Sequence, residues 1–464
     1  MDSARGVGSL QVTENDVLSH SCDLFKPLTR EISILEGKEI FVPAGNGQTS
    51  RGPYTFEIPT QGEAYINLAS AQLWGMCRIV VGNPDQTFKE ITEADNVSIV
   101  NLFPASLFRD IKVEVNSHPM NELSSPHAHI KTYIEHLLTF SSDALHSHLQ
   151  SQLFVPDSAG QFDNFGDTND GFKVPDADAE GQHNWGYHDR KSSIAGSRKF
   201  DFQIPLSHDF IQADRLLIPG TEVKIELSRA DDTFSILSPT KNKQYAVKIE
   251  QLRLSVRIVQ VAAAVQKYHR EKLFKEPCIY PINRTQIKNY NVNKDQSLVD
   301  IWDLYKSSSR LPKHIIIAMV ETSSMNSYSK NPFNFQHFGM DYCVLKVNST
   351  MVPLEPYVPD FKNGLFTREY LALFHNTGIH QNDNTGNIIT KHLFRGGMFL
   401  QAFDLSPCLC NGYHNHAPTV GSIGLTMRFS EPLAQSVTLY VMGTYDAEVY
   451  MDRDHQVATD FNIA

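Results

Sequence analysis

The sequence predicts an all-β protein built from two tandem β-sandwich domains of about 200 residues each. Three observations predict it. Short stretches with alternating apolar residues recur along the 464 residues, as strands with one buried face require. Turn formers interrupt them often, with 23 Pro and 26 Gly in the chain. A pair of strand motifs also occurs twice, in the same order.

The first repeated motif is Ile111-Lys112-Val113-Glu114-Val115-Asn116-Ser117, matched by Cys343-Val344-Leu345-Lys346-Val347-Asn348-Ser349 at an offset of 232 residues. Both are alternating strands that run into Asn-Ser, a turn pair in which Asn tolerates left-handed backbone angles. The second is Val223-Lys224-Ile225-Glu226-Leu227, matched by Ile423-Gly424-Leu425-Thr426-Met427 at an offset of 200. A further strand follows each copy, starting at Val247 and at Val437. The two offsets differ by 32 residues, so the first half carries an insertion between its paired motifs. Residues 155–199 are the place for it. They are rich in Gly, Asp and Asn and poor in strand formers, which reads as an exposed acidic loop whose removal (residues 160–190) leaves folding intact.

Other elements follow from local pattern. Leu252, Leu254, Val256 and Ile258 alternate, while Val247 and Ile249 sit in the opposite phase. A β-bulge at Glu250–Gln251 restores one buried face. The longest apolar runs, Ile315 to Val320 and Val259 to Val265, have strand length. Ile130, Ile134, Leu137 and Leu138 recur at helical spacing, and Asp143 is placed to cap a second short helix carrying Leu145 and Leu149. A weaker helical segment surrounds Arg368 to Phe374. The division expected is an arm at 1–27, a first domain at 28–265 with the 155–199 insertion, a second domain at 266–450 and a tail at 451–464.

Composition excludes several function classes. At 41% hydrophobic, 20% charged and a net charge of −11, the chain is globular and lacks the basic excess of a general nucleic-acid binder. Residues 1–12 lack the apolar core of a signal peptide, and no run approaches the roughly 18 residues of a membrane span. Cys22, Cys77, Cys278, Cys343, Cys408 and Cys410 are scattered, and read as free thiols of an intracellular protein.

Catalytic signatures are missing: no G-x-S-x-G, H-E-x-x-H, P-loop or G-x-G-x-x-G appears. Cys408, Cys410, His414 and His416 could hold zinc tetrahedrally. Their C-x-C-x3-H-x-H spacing is that of no common zinc module, and a polar inter-strand loop explains them as well. His127, His129, His136, His146 and His148 decorate the helical stretch without a carboxylate partner pattern and read as solvated. Asp167 to Gly171 and Asp176 to Glu180 resemble calcium loops, but Gly171 falls fifth where the register needs it sixth. The pairs Arg190-Lys191 and Arg198-Lys199 read as a soluble face. No catalytic, cofactor or metal residue is assigned.

Several motifs, taken in order, resemble the major capsid proteins of Polinton/Maverick elements and adintoviruses. The likeness runs from about Ile66 to Asp460. It rests on Val100 to Phe108 with Ile111 to Asn116, on Tyr133-Ile134-Glu135-His136-Leu137-Leu138, and on Phe202 to Phe210 with Arg215 to Gly220. In the second half it rests on Asn331-Pro332-Phe333-Asn334-Phe335, Pro359-Asp360-Phe361, Gly397, Phe403 to Pro407, Tyr440 to Tyr445 and Met451-Asp452. Ser406 stands where the family often has Thr.

The resemblance implies a double jelly roll, two eight-stranded rolls with short helices and long loops. It implies a homotrimeric, pseudo-hexagonal capsomer that packs against neighbouring capsomers in an icosahedral shell around double-stranded DNA. A single jelly-roll penton protein, a packaging ATPase and a maturation protease are the usual companions. The location implied is the virion capsid, assembled inside the host cell, with no enzymatic activity, membrane span or sequence-specific nucleic-acid binding. Two other readings remain. One is a host-domesticated relative of the same fold. The other is a tandem β-sandwich carbohydrate-binding protein, which needs an aromatic-lined groove that Trp74, Trp185 and Trp302 would have to build.

Overall fold

The structure, a computed structural model, describes residues 30–45, 51–60, 62–92, 95–120, 127–166, 183–240, 243–305, 310–379, 386–406 and 417–461. Its first half contains strands β1 (Ile34–Pro43), β2 (Tyr54–Ile58), β3 (Tyr65–Val81), β4 (Phe108–Val115), β5 (His118–Pro119), β6 (Phe200–Pro205), β7 (Val223–Arg229) and β8 (Tyr245–Val261). They form two antiparallel sheets, ordered β1-β8-β3-β6 and β2-β7-β4-β5. Most successive strands alternate between the sheets, which is the wrapped connectivity of a jelly roll.

The second half repeats this. Strands β9 (Cys278–Val292), β10 (Leu298–Ile301), β11 (His314–Glu321), β12 (Met340–Val347), β13 (Thr350–Tyr357), β14 (Leu400–Asp404), β15 (Ile423–Phe429) and β16 (Val437–Met451) form sheets β9-β16-β11-β14 and β10-β15-β12-β13. Each strand βn has its counterpart at βn+8. The fold is therefore a double jelly roll, as the sequence led us to expect.

The duplication extends to register. Val115, Val113 and Ile111 of β4 pair with Val223, Ile225 and Leu227 of β7. Val347, Leu345 and Cys343 of β12 pair with Ile423, Leu425 and Met427 of β15. The turns match as well. Asn116 and Asn348 have φ of 49° and 53°, the left-handed region Asn tolerates. Each side-chain carbonyl accepts from the backbone N–H that leads into the partner strand, Glu222 at 2.8 Å and Ser422 at 3.1 Å. The Asn in both motifs thus ties its turn to the adjacent strand.

Local expectations are met at several points. Ile249 pairs with Cys77 and Gln251 with Met76, so Glu250 is the extra residue of a bulge. Val247, Ile249, Leu252 and Leu254 are consequently all buried. Ile315 to Val320 are buried on both faces of β11, the burial a continuous apolar run demands. Helices α1 (Ala128–Thr139) and α4 (Thr367–His375) lie where the periodicity placed them. Asp143 is not a cap: Ser141 precedes the short helix Ser142–Leu145, and Leu149 belongs to a separate 3₁₀ turn.

Two expectations are corrected. Val259 to Val265 is not one strand. β8 ends at Val261 and helix α3 (Ala263–Leu273) begins, so the expected division at 265/266 falls inside the helix that joins the rolls. The stretch 155–199 lies between β5 and β6, and its described parts are not an exposed loop. Phe162, Tyr187 and Ile194 are buried, and helix α2 (Trp185–Ile194) packs into the body. Removing 160–190 would strip Phe162 and Tyr187 from the core. Local composition suggested solvent because the segment is polar, yet its polar groups are paired in the interior.

Those pairs join the rolls. Asp157 is fully buried. One carboxylate oxygen accepts from Arg190 Nη2 at 2.6 Å and from Asn184 Nδ2 at 2.9 Å; the other accepts from Asn331 Nδ2 of the second roll at 3.0 Å. Asp163 accepts from the Asn331 N–H at 2.6 Å and from Asn334 Nδ2 at 2.8 Å. Beside them, Tyr133 of α1 stacks on Phe333 with centroids 4.0 Å apart and planes at 8°. The helix and Asn-Pro-Phe motifs of the family resemblance therefore touch across the roll boundary.

Breaking a buried ion pair by removing one partner costs about 3–5 kcal/mol. Asp157→Ala is expected to destabilise the protein by that amount in denaturant titrations, while a loss under about 1 kcal/mol would mean the network is not holding the rolls. Val115 has no exposed surface and Val347 is partly exposed. Val115→Asp should therefore cost roughly 3 kcal/mol or more, and Val347→Asp clearly less, despite their equivalent positions.

Candidate assembly surfaces

Cys408, Cys410, His414 and His416 lie outside the described residues, as do Asp167 to Gly171 and Asp176 to Glu180. Among the described residues no group of three or more His, Cys, Asp or Glu side chains could hold an ion. Cys77, Cys278 and Cys343 are free thiols.

The helix histidines are corrected in part. His146 and His148 are exposed, but His129 and His136 are buried on the inner face of α1. His129 meets the Phe234 ring edge-on at 4.3 Å. His136 lies between the Thr132 carbonyl at 2.7 Å and Gln152 Oε1 at 2.6 Å. Helical spacing alone could not separate a buried from a solvated imidazole here. Arg190 is likewise not part of a soluble face: it is 2% exposed and also donates from Nε to the Ile99 carbonyl at 2.8 Å. The signal that could have located it is the pair Tyr187 and Ile194, two turns apart behind Asn184. Asn184 caps α2 by accepting from the Tyr187 N–H at 3.2 Å.

The outer face of the β2-β7-β4-β5 sheet is charged. Lys112 pairs with Glu226 at 3.3 Å and Lys224 with Glu114 at 3.6 Å, and Glu57 stands exposed beside them. These are water-facing pairs of small energetic weight.

The equivalent face of the second roll also carries ion pairs, Lys346–Asp300 at 3.4 Å and Arg428–Asp341 at 2.9 Å, but adds an exposed aromatic ring. Phe56 pairs with Ile225 and Ile301 with Leu425, positions 200 residues apart, so Trp302 succeeds Ile301 as Glu57 succeeds Phe56. Lys346 takes the place of Glu114, and Val344, which is buried, that of Lys112. Trp302 is 83% exposed with Lys346 Nζ 5.8 Å from its ring centroid. Leu354 is also 83% exposed, and Leu298, Met351, Val358, Leu365 and Leu371 are exposed large apolar side chains of the same roll. Single exposed apolar residues are ordinary; a contiguous group of them marks a contact surface.

The three tryptophans line no common groove. Trp74 lies on β3 under Arg253, Trp185 opens α2, and Trp302 follows β10. No described helix is long and apolar enough to cross a membrane.

No protein-family model matches this sequence, and no curated protein does. Solved structures do match. The cryo-EM structure of the Sputnik virophage aligns with a TM-score of 0.59 at 10% identity, over 98% of this chain and 94% of the other. The mavirus major capsid protein aligns at 0.54 and 12% identity, over 98% and 97%. The capsid of the virus PBCV-1 aligns at 0.57 and 9%, over 94% and 99%. At these identities the match is one of fold, and it spans both rolls.

Buried histidines make stability depend on pH. Burial lowers His129 to about 3, helped by the nearby His127. Burial lowers His208 to about 4 against the pull of Asp209, and His337 to about 4 with Arg395 adding to the effect. The unfolded chain takes up these protons below its ordinary value near 6.5, while the folded chain does not. Their stabilisation is therefore complete above that value and is lost as pH falls from it towards 4. Each histidine removes about 1.4 kcal/mol per pH unit in that window. Urea midpoints should fall steeply between pH 6.5 and 4.5; a flat profile would contradict the burial of these rings.

Proposed function

We propose that the protein is a structural major capsid protein of the double jelly-roll lineage, building trimeric, pseudo-hexagonal capsomers of an icosahedral shell. One observation carries this reading. Two rolls with the same strand order and register occupy one chain, and the whole arrangement aligns with solved viral capsid proteins over at least nine-tenths of both partners. Two similar rolls per chain give a trimer six similar sides, so neighbours can pack hexagonally while alternate sides keep different chemistry. Exposed Trp302 on the second roll, where the first roll has Glu57, supplies part of that difference.

The ordered motifs that resemble Polinton/Maverick and adintovirus capsid proteins support placing the chain in that group. Its partners are then its own copies, neighbouring capsomers and a single jelly-roll penton protein, and its place is the virion capsid. Its role is to build a shell and not to catalyse. The absence of a basic excess, with a net charge of −11, suits a shell that holds a genome without reading it. The junction described above fits this role, because a building block must present its sides at a fixed angle.

Light scattering of the purified protein should give about three times the chain mass of 52.3 kDa, and negative-stain images should show hexagonal outlines. Trp302→Glu combined with Leu354→Glu should leave unfolding unchanged and weaken assembly. A wild-type protein that stays monomeric at micromolar concentration would overturn the reading.

A further inference from the structure

A groove of about 450 Å³ opens where the two rolls join. Its walls come from the chain entering β1, from α3, from the start of β9 and from the loop before β7. Ile34, Ile218, Val265, Leu273 and Ile279 make it apolar, and Cys278 contributes a thiol to its wall. Its volume is in the range of pockets that bury a whole ligand or several side chains. Large apolar side chains stand exposed in the same elements: Ile32 and Leu35 beside β1, Tyr268 on α3 and Phe274 just after it. Tyr65 Oη lies 2.9 Å from His269 Nδ1, Arg215 Nη1 donates to the Ile279 carbonyl at 2.6 Å and Lys272 pairs with Glu276 at 3.1 Å, so these polar groups of the lining already have partners. What is left open is apolar.

The chain itself supplies an occupant. The described structure starts at Arg30, and Ser33 is already part of the groove wall. Directly before it stands Cys22-Asp23-Leu24-Phe25-Lys26-Pro27-Leu28. Three large apolar residues fall within five positions there, and Pro27 biases Lys26 towards extended backbone. The five-residue step from Leu28 to Ser33 reaches up to about 17 Å, enough to turn back onto the groove. We propose that Leu24, Phe25 and Leu28 of the same chain fill this groove, so that the arm before β1 straps the junction of the two rolls.

The arrangement places Cys22, two residues from Leu24, against Cys278. Mild oxidation of the full-length protein with copper-phenanthroline, followed by non-reducing peptide mapping, reads this contact. The expected result is a Cys22–Cys278 link within one chain as the main product. Phe25→Asp combined with Leu28→Asp should reduce its yield at least tenfold and speed hydrogen exchange of the α3 amides, with the rest of the exchange map unchanged. Cys22 joined mainly to Cys408 or Cys410, or to no thiol, would overturn the proposal. So would a link between two chains, which would assign the groove to a second copy, and so would α3 exchange that is indifferent to the double substitution. The measurement concerns a contact inside one chain and does not depend on whether capsomers form.

Discussion

The arrangement of the two rolls depends on one buried carboxylate. Asp157 has no exposed surface, and an unpaired charge there would cost far more than a domain can spare. The carboxylate is tolerated because Arg190, Asn184 and Asn331 all donate to it. Those donors come from two places in the first roll's insertion and one in the second roll. A change in the angle between the rolls would pull Asn331 away and leave an acceptor unsatisfied. The geometry is therefore held by direction-dependent bonds as well as by apolar contact, which has no direction. The near-parallel stack of Tyr133 on Phe333 adds area at the same place.

Around that hinge point the rolls repeat each other closely in backbone and differ in surface. Core positions of β4, β7, β12 and β15 keep strand-forming apolar residues in matching register, because both sheets must bury the same face. Outward positions carry no such constraint. Glu57 and Glu114 on one roll correspond to Trp302 and Lys346 on the other. A duplicated scaffold can in this way present different side chains at matching positions without any change of fold. That is the physical requirement for a pseudo-symmetric tile whose six sides are not all alike.

Much of this was legible before any coordinates. Alternation located the strands, the offsets of 232 and 200 paired them, and the phase change at Glu250 located the bulge. Helices α1 and α4 followed from spacing. The failures share a cause. The 155–199 stretch, Arg190 and the histidines His129 and His136 were read from polarity, and polarity does not reveal burial when partners lie far along the chain. Asp157 finds Arg190 33 residues away and Asn331 174 residues away. Helix α3 was read as the end of a strand because Val259 to Val265 is apolar except at Gln260 and its period is ambiguous over so short a run.

The sequence by itself thus determined the two rolls, their order and their internal register, because strand periodicity and turn chemistry act over a few residues. The tertiary structure alone decided how the rolls are locked together and which faces stay open. Those outcomes depend on side chains that meet from distant parts of the chain, and no local pattern encodes which buried donor a carboxylate will find.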